Sequence, residues 1–209
     1  MLDYLHQDEW EVEAGAMQSP INILTQHCKK VKASTSREIR LAYLPNVEKI
    51  EVGFYNHIFG SMGKAHIWSR EYDLVQYHFH APSEHQIDGK EFAMEGHFVH
   101  IGTNGQMAVI GVLMSLGQAN SAFEEMLQDL ENEKTDLVEH LMNLFPENKN
   151  YYHYLGSLTT PPLTEIVEWY VFKEPVEISK DQLNRFTAVH NHNNRGLQEL
   201  HNRTVIEIV

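Results

Sequence analysis

The sequence predicts a mainly β domain of the α+β class, a sheet with a few peripheral helices, and three observations carry that reading. Short runs rich in apolar, aromatic and β-branched residues recur from Lys49 to Met114 and again after Tyr151. Turn clusters punctuate them: Gly60-Ser61-Met62-Gly63, Asp88-Gly89 and Asn104-Gly105. Only three segments show the residue spacing of an amphipathic helix.

In chain order, residues 1–49 read as an irregular, turn-rich opening. Within it, Gln18-Ser19-Pro20-Ile21-Asn22-Ile23 is a short extended piece. Strands are expected at Ile50–Tyr55, Ala65–Trp68, Leu74–His80, Phe92–Ile101 and Met107–Met114. Ser121–Glu131 sets Phe123, Met126, Leu127 and Leu130 on one helical face. Thr135–Leu144 does the same for Leu137, Val138, Leu141 and Met142. Strand character returns at Tyr151–Leu155 and Glu165–Phe172. Ser179-Lys180-Asp181-Gln182 has the form of a capping box, so a last helix starts there. Thr204–Val209 reads as extended. No internal repeat or low-complexity linker divides the chain, and a single domain over residues 1–209 is expected.

Composition narrows the function classes. The 209 residues are 42% hydrophobic and 22% charged, enough for a substantial core. Acidic residues outnumber basic ones 29 to 16, and no Lys/Arg-rich run occurs, so nucleic acid is not the expected partner. No apolar run approaches the roughly 20 residues of a membrane span. The first residues lack the basic-then-apolar pattern of a signal peptide, and the single cysteine, Cys28, excludes an intramolecular disulfide. A cytoplasmic location is the expectation.

The chemistry concentrates in Gln76 to His100, which holds five of the fourteen histidines. Strand side chains alternate faces, so His78 and His80 share one face, as do Glu95, His97 and Val99. Pro82 to Asp88-Gly89 supplies a reversal that lets the two strands pair antiparallel, and same-face neighbours across such a pair lie about 5 Å apart. His78, His80 and His97 can therefore meet on one ion. Three imidazoles leave a fourth tetrahedral position open, the pattern of catalytic rather than structural zinc. Gln76 and Glu95, two residues ahead on the same faces, are placed to accept the rings' distal N–H groups. An isolated H-x-H on a strand is weak evidence of a metal; the third same-face histidine strengthens it. His85 and His100 read as supporting histidines. His190-Asn191-His192 is a rival pair in an Asn-rich loop, and reads as solvated.

The chain resembles the alpha-class carbonic anhydrases of bacterial type. The resemblance rests on Gln18-Ser19-Pro20-Ile21-Asn22-Ile23 and on the run from Tyr72 through Leu74, Gln76-Tyr77-His78-Phe79-His80 and Pro82-Ser83-Glu84-His85. It continues in Glu95, His97 and Val99-His100, in Tyr154 and Gly156-Ser157-Leu158-Thr159-Thr160-Pro161-Pro162, and in Val167 and Trp169. It implies a large twisted, mostly antiparallel central sheet and zinc-dependent reversible hydration of carbon dioxide to bicarbonate, a reaction tied to pH homeostasis. One zinc ion per chain on His78, His80 and His97 is implied. The three-histidine zinc that acidifies a bound water is what is known of carbonic anhydrase itself, so it is a property of the family and not of this spacing.

The resemblance further implies that Thr159, backed by Glu84, orients the attacking zinc-bound hydroxide. Val99, Val109, Leu158, Thr160, Val167 and Trp169 match the substrate pocket; from the sequence alone Thr160 would be loop and the other five ordinary core. His57 falls at the family's proton-shuttle position, but Phe54-Tyr55-Asn56-His57 lacks the usual Asn-Gly-His glycine. Leu163 stands where exported members carry a cysteine, and Arg195-Gly196-Leu197-Gln198-Glu199-Leu200 departs from the usual Arg-Pro-x-Gln-Pro-Leu. The alternative is a catalytically inert, carbonic-anhydrase-related interaction domain, which would typically lack a zinc histidine. The oligomeric state stays open between monomer and homodimer.

Overall fold

The computed structural model describes residues 3–10, 15–43, 58–59, 63–131, 141–190 and 192–209, with the backbone alone at 58–59 and 129–130. The expected strand Ile50–Tyr55 and the shuttle candidate His57 lie outside the described residues.

The opening segment contributes three short strands, β1 (Asn22–Ile23), β2 (Lys29–Val31) and β3 (Ile39–Tyr43), separated by single 3-10 turns. Next come β4 (Ile58–Phe59), β5 (Gly63–Ile67), β6 (Arg70–His80), β7 (Gln86–Ile87), β8 (Met94–Gly102) and β9 (Met107–Leu116). Helix α1 (Ser121–Glu131) follows at the expected bounds, and Phe123, Met126 and Leu127 are buried as its periodicity requires. Of the second expected helix, the described part is a 3-10 turn at Leu141–Leu144. It buries Leu141 and Leu144 but leaves Met142 exposed, so Met142 is not on a buried face. The chain closes with β10 (Tyr151–Ser157), β11 (Glu165–Phe172), β12 (Val176–Ile178), α2 (Lys180–Val189) and β13 (Ile206–Ile208). The capping box ahead of α2 is complete: Ser179 accepts from the Gln182 backbone, and the Gln182 side chain accepts from the Ser179 backbone.

Among the described residues, eleven strands form one sheet in the order β2-β13-β10-β11-β9-β8-β6-β5-β3, with β12 beside β9 and β4 beside β6. Seven of its pairings are antiparallel and three parallel, so the sheet is mixed but mostly antiparallel. The central strands are buried on both faces, and β8 from Met94 to His100 has no exposed position. Of these, β9 reads as a nearly unbroken apolar run, while β6 and β8 bury histidines and Glu95 among their apolar residues. One face carries Tyr77, Phe79, Phe98, Ile110 and Val112, closed over by Phe123 of α1 and Phe186 of α2. The other carries Val99, Val109, Val167, Trp169 and Tyr154 with Ile21 and Ile23 of the opening segment. The histidines sit on this second face, at the sheet's centre, where strand backbones are fixed by ladders on both sides.

The β6–β8 connection runs through β7, which pairs in parallel with β1. Its reversal uses positive φ at Asp88 (49°) and Gly89 (77°), a conformation glycine adopts without a Cβ clash.

Candidate metal centre and active site

Register decides the site. β6 and β8 pair with His78 opposite His97 and His80 opposite Glu95. The ring centroids lie 4.9 Å (His78–His80), 5.2 Å (His78–His97) and 4.6 Å (His80–His97) apart. One nitrogen from each of the three buried rings falls within 4.8 Å of the others.

The donor set fits zinc. Burial lowers the His80 pKa to about 4, and lowers that of His97, so both rings are neutral and offer a lone pair. Nδ1–H of His80 donates to the Asn193 carbonyl at 2.6 Å, which leaves Nε2 buried with no hydrogen-bond partner. On His97 the roles are reversed: Nε2 lies 3.0 Å from Oε1 of Glu95, so Nδ1 is the atom left for a metal. That contact is short but poorly angled for a hydrogen bond, the loosest link around the ring.

Glu95 is wholly buried and accepts three hydrogen bonds. Oε2 takes the backbone N–H groups of Glu84 (2.9 Å) and His85 (2.7 Å), and Oε1 takes Nδ1–H of His85 (2.8 Å) beside His97. Burial alone would raise its pKa; the His85 and His97 rings outweigh that and hold it well below the usual carboxylate range. Glu95 thus occupies the place expected of it. Gln76 lies across from Val99 and lines the cavity beside His78. His85 is a supporting histidine, with Nε2 at 2.7 Å from the Tyr154 hydroxyl. His100 faces away and bonds the Tyr43 hydroxyl through Nε2 at 2.7 Å.

Glu84 points at the same centre. Oε1 accepts the Arg195 backbone N–H at 2.7 Å and lies 3.5 Å from Nδ1 of His80; Oε2 lies 3.9 Å from Nδ1 of His97. Burial pushes the Glu84 pKa up to about 7, moderated by His97 and by the Thr159 hydroxyl. Positive charge among the three rings would oppose that rise. The Thr159 hydroxyl is near enough to act on Glu84, yet Oε2 has no well-formed hydrogen bond.

A cavity of about 250 Å³ opens over the histidines, lined by His78 and His97, by Thr159 and Thr160, and by an apolar wall that includes Val99, Val109, Leu158 and Trp169. Val167 is a correction: it is fully buried in the same cluster, paired with Gly156, and lies behind the wall without lining the cavity. Three lining residues were missed. Ile101 and Met107 follow from strand alternation, two positions from Val99 and Val109. Val75 does not, because a register shift between Leu74 and Gln76 turns it toward the cavity. The supports Asn193, Arg195 and Tyr154 were missed too. Asn193 also takes the Ala81 N–H (2.8 Å) and donates to the Phe79 carbonyl (2.9 Å), clamping the end of β6. It lies more than 110 residues from β6, and no local signal announces such a contact.

The rival pair stays apart from this centre. His190 caps α2 and packs on Phe186 with ring centroids 5.4 Å apart, while His192 is exposed at positive φ.

The model of the eukaryotic-type carbonic anhydrase family matches residues 5–208. A carbonic anhydrase of Pectobacterium atrosepticum is 35% identical over 204 residues, covering 93% of this chain and 81% of the relative. One of Neisseria gonorrhoeae is 38% identical over 202 residues, covering 92% and 78%. Among solved structures, the alpha-carbonic anhydrase of Thermovibrio ammonificans with the inhibitor sulfanilamide superposes with a TM-score of 0.83 at 36% identity, covering 92% of this chain and 87% of that one.

Proposed function

The chain belongs to the eukaryotic-type, or alpha, carbonic anhydrase family, enzymes whose general reaction is the hydration of carbon dioxide, and from that premise we propose that it performs this reaction with one zinc ion held by His78, His80 and His97. The observation that carries the reading is the convergence of three buried imidazoles on one point beneath an apolar-walled cavity. A zinc ion held by these residues would supply Lewis acidity there, as is established for carbonic anhydrase in general.

The chain's own residues do the rest. His80 uses Nε2, because Nδ1–H is committed to the Asn193 carbonyl; His97 uses Nδ1, because Nε2 faces Glu95. Glu84 has Oε1 committed to the Arg195 N–H, so Oε2 is the acceptor left for the Thr159 hydroxyl. A hydroxyl that donates to Glu84 can only accept on its cavity side, which fixes the direction of any proton pointing at it. The wall of Val99, Val109, Leu158 and Trp169 gives an uncharged substrate an apolar seat and favours departure of a charged product. Stopped-flow hydration assays with zinc stoichiometry test the proposal: a zinc-free, inactive protein refutes it. The inert alternative is not favoured, since all three histidines, Thr159 and Glu84 are present.

The proton leaves by His57 in this proposal, on the strength of its position in the sequence. His57→Ala should lower turnover in dilute buffer and leave kcat/KM nearly unchanged, with added imidazole restoring the loss. Unaltered turnover would take His57 off the path. The expected cytoplasmic location is tested by cell fractionation.

A further inference from the structure

The two end strands of the large sheet, β2 and β3, are joined by residues 32–38 alone. Another cavity, of about 680 Å³, opens at this junction. Its walls come from that connection, from Ile39, Arg40 and Leu41 of β3, from Ile208 of β13, from Tyr151 of β10 and from the loop before β10. Among the described residues it shares no lining residue with the cavity over the histidines. Its size is that of a small-molecule site, a few hundred to about 1,000 Å³.

The charge here is out of keeping with the rest of the chain. Acidic residues outnumber basic ones 29 to 16, yet Arg37, Arg40 and Lys149 all line this one cavity. Arg37 and Lys149 are half-buried. Among the described residues no carboxylate ion-pairs with any of the three, and Arg37 reaches only the Ser34 hydroxyl, at 3.4 Å. By contrast, Lys64, Arg70, Lys173 and Arg185 all sit on carboxylates. A partly desolvated cation with no counter-charge is costly, and an anion brought by a ligand would offset that cost. Glu38 and Glu147 also line the cavity and are exposed, so a ligand with several negative groups would meet repulsion.

Both segments that carry these cations are pinned from behind. The buried Tyr151 donates its hydroxyl proton to the Arg37 carbonyl at 2.7 Å and accepts from the Trp68 indole N–H at the tip of the β5–β6 hairpin. On the other side, the Asn150 carbonyl accepts the Lys173 N–H (3.0 Å), and the Asn148 side chain takes the Asn150 N–H (3.0 Å) while donating to Glu174 (2.8 Å). A site held open in this way loses little freedom on binding.

We infer that this cavity binds a small organic anion, a single phosphate or carboxylate group on an apolar body. Arg37, Arg40 and Lys149 hold the head group, which guanidinium takes bidentately in either form. Ile39, Leu41 and Ile208 face the body. The inference does not depend on the zinc reading.

The test titrates the full chain, labelled with ¹⁵N and with ¹³C at methyl groups, with 1-naphthyl phosphate and with 1-naphthoate. Either anion should give saturable shifts at the Arg37 and Arg40 Nε–H and at the Ile39, Leu41 and Ile208 methyls, and the tighter of the two identifies the preferred head group. 1-Naphthol and inorganic phosphate, each half of the probe, should bind at least about tenfold more weakly. Arg37→Gln and Lys149→Gln should each weaken the better probe about tenfold, the scale for losing a charge-assisted hydrogen bond. Arg40→Gln serves in place of either one that fails to fold. No saturable shift at these residues, or shifts confined to the Val99 and Val109 methyls of the other cavity, overturns the inference. So does 1-naphthol binding as tightly as the anions, or unchanged affinity in the folded variants. If both probes are silent while a synthetic peptide of alternating glutamate and valine shifts the β3 amides, the cavity takes an added strand and the small-anion assignment fails.

Discussion

This chain has two H-x-H pairs, and they fold into different surroundings. His78-Phe79-His80 lies on β6, where alternation puts both rings on one buried face opposite His97. His190-Asn191-His192 follows α2, with one ring against Phe186 and the other in solvent. The composition of the two triplets is nearly the same; the backbone is what differs. A strand at the centre of a sheet holds its rings in place and takes water away, lowering the His80 pKa to about 4. At the end of α2 burial also lowers the His190 pKa, but His192 stays exposed, so the two rings share no buried face. Metal sites need orientation before they need ligands.

The largest expected effect breaks the strand pair. His80→Ala or His97→Ala should abolish zinc binding and most hydration activity, because a three-ligand site loses both affinity and geometry. Full zinc content in either variant, measured by atomic absorption, would refute the ligand set.

A smaller effect separates holding the metal from orienting the chemistry. Thr159→Val keeps the shape and removes the hydroxyl, so zinc should stay while hydration falls about 10–100-fold. Glu84→Gln should cost no more than that. The double change should cost less than the sum, since Glu84 and Thr159 act as one chain; additive losses would end the idea of a relay.

The difference in burial can be read by pH. His100 on β8 has its pKa lowered by burial from 6.5 to about 4. A neutral form favoured by folding means that its stabilisation is complete above pH 6.5 and is lost as pH falls toward 4. At pH 5 that loss is about 2 kcal/mol for this residue, from 1.36 kcal/mol per pKa unit. Urea unfolding at pH 7 and pH 5 should show it, and His100→Gln, which does not titrate, should flatten the difference. An equally acid-sensitive variant would show that His100 is not its source.

The smallest effect belongs to the loop. Replacing His190 and His192 together by alanine should leave zinc stoichiometry unchanged and alter stability by no more than about 1 kcal/mol, twice the usual ±0.5 kcal/mol of a surface site. Loss of zinc on that change would overturn the contrast between the pairs.

What the residues determined by themselves is the strand alternation, the antiparallel reversal at Asp88-Gly89, the capping box at Ser179 and the helix over Ser121–Glu131. Each is local: a period of two, a turn glycine, a serine three residues from a glutamine. The ligand face was legible because alternation along β6 and β8 is local too, once the two strands are paired. Strands β2, β3 and β12 escaped because short pieces of three to five residues show too little periodicity, and they form only against partners distant in sequence. Tertiary structure alone decided which nitrogen of His80 and of His97 faces the site. Asn193 takes one proton of His80, Arg195 occupies one oxygen of Glu84, and Tyr154 meets His85. It also turned Val75 into the cavity and kept Val167 out. These contacts join residues from about 70 to 113 positions apart. They exist only because both faces of one sheet are closed at once, and no local pattern encodes that closure.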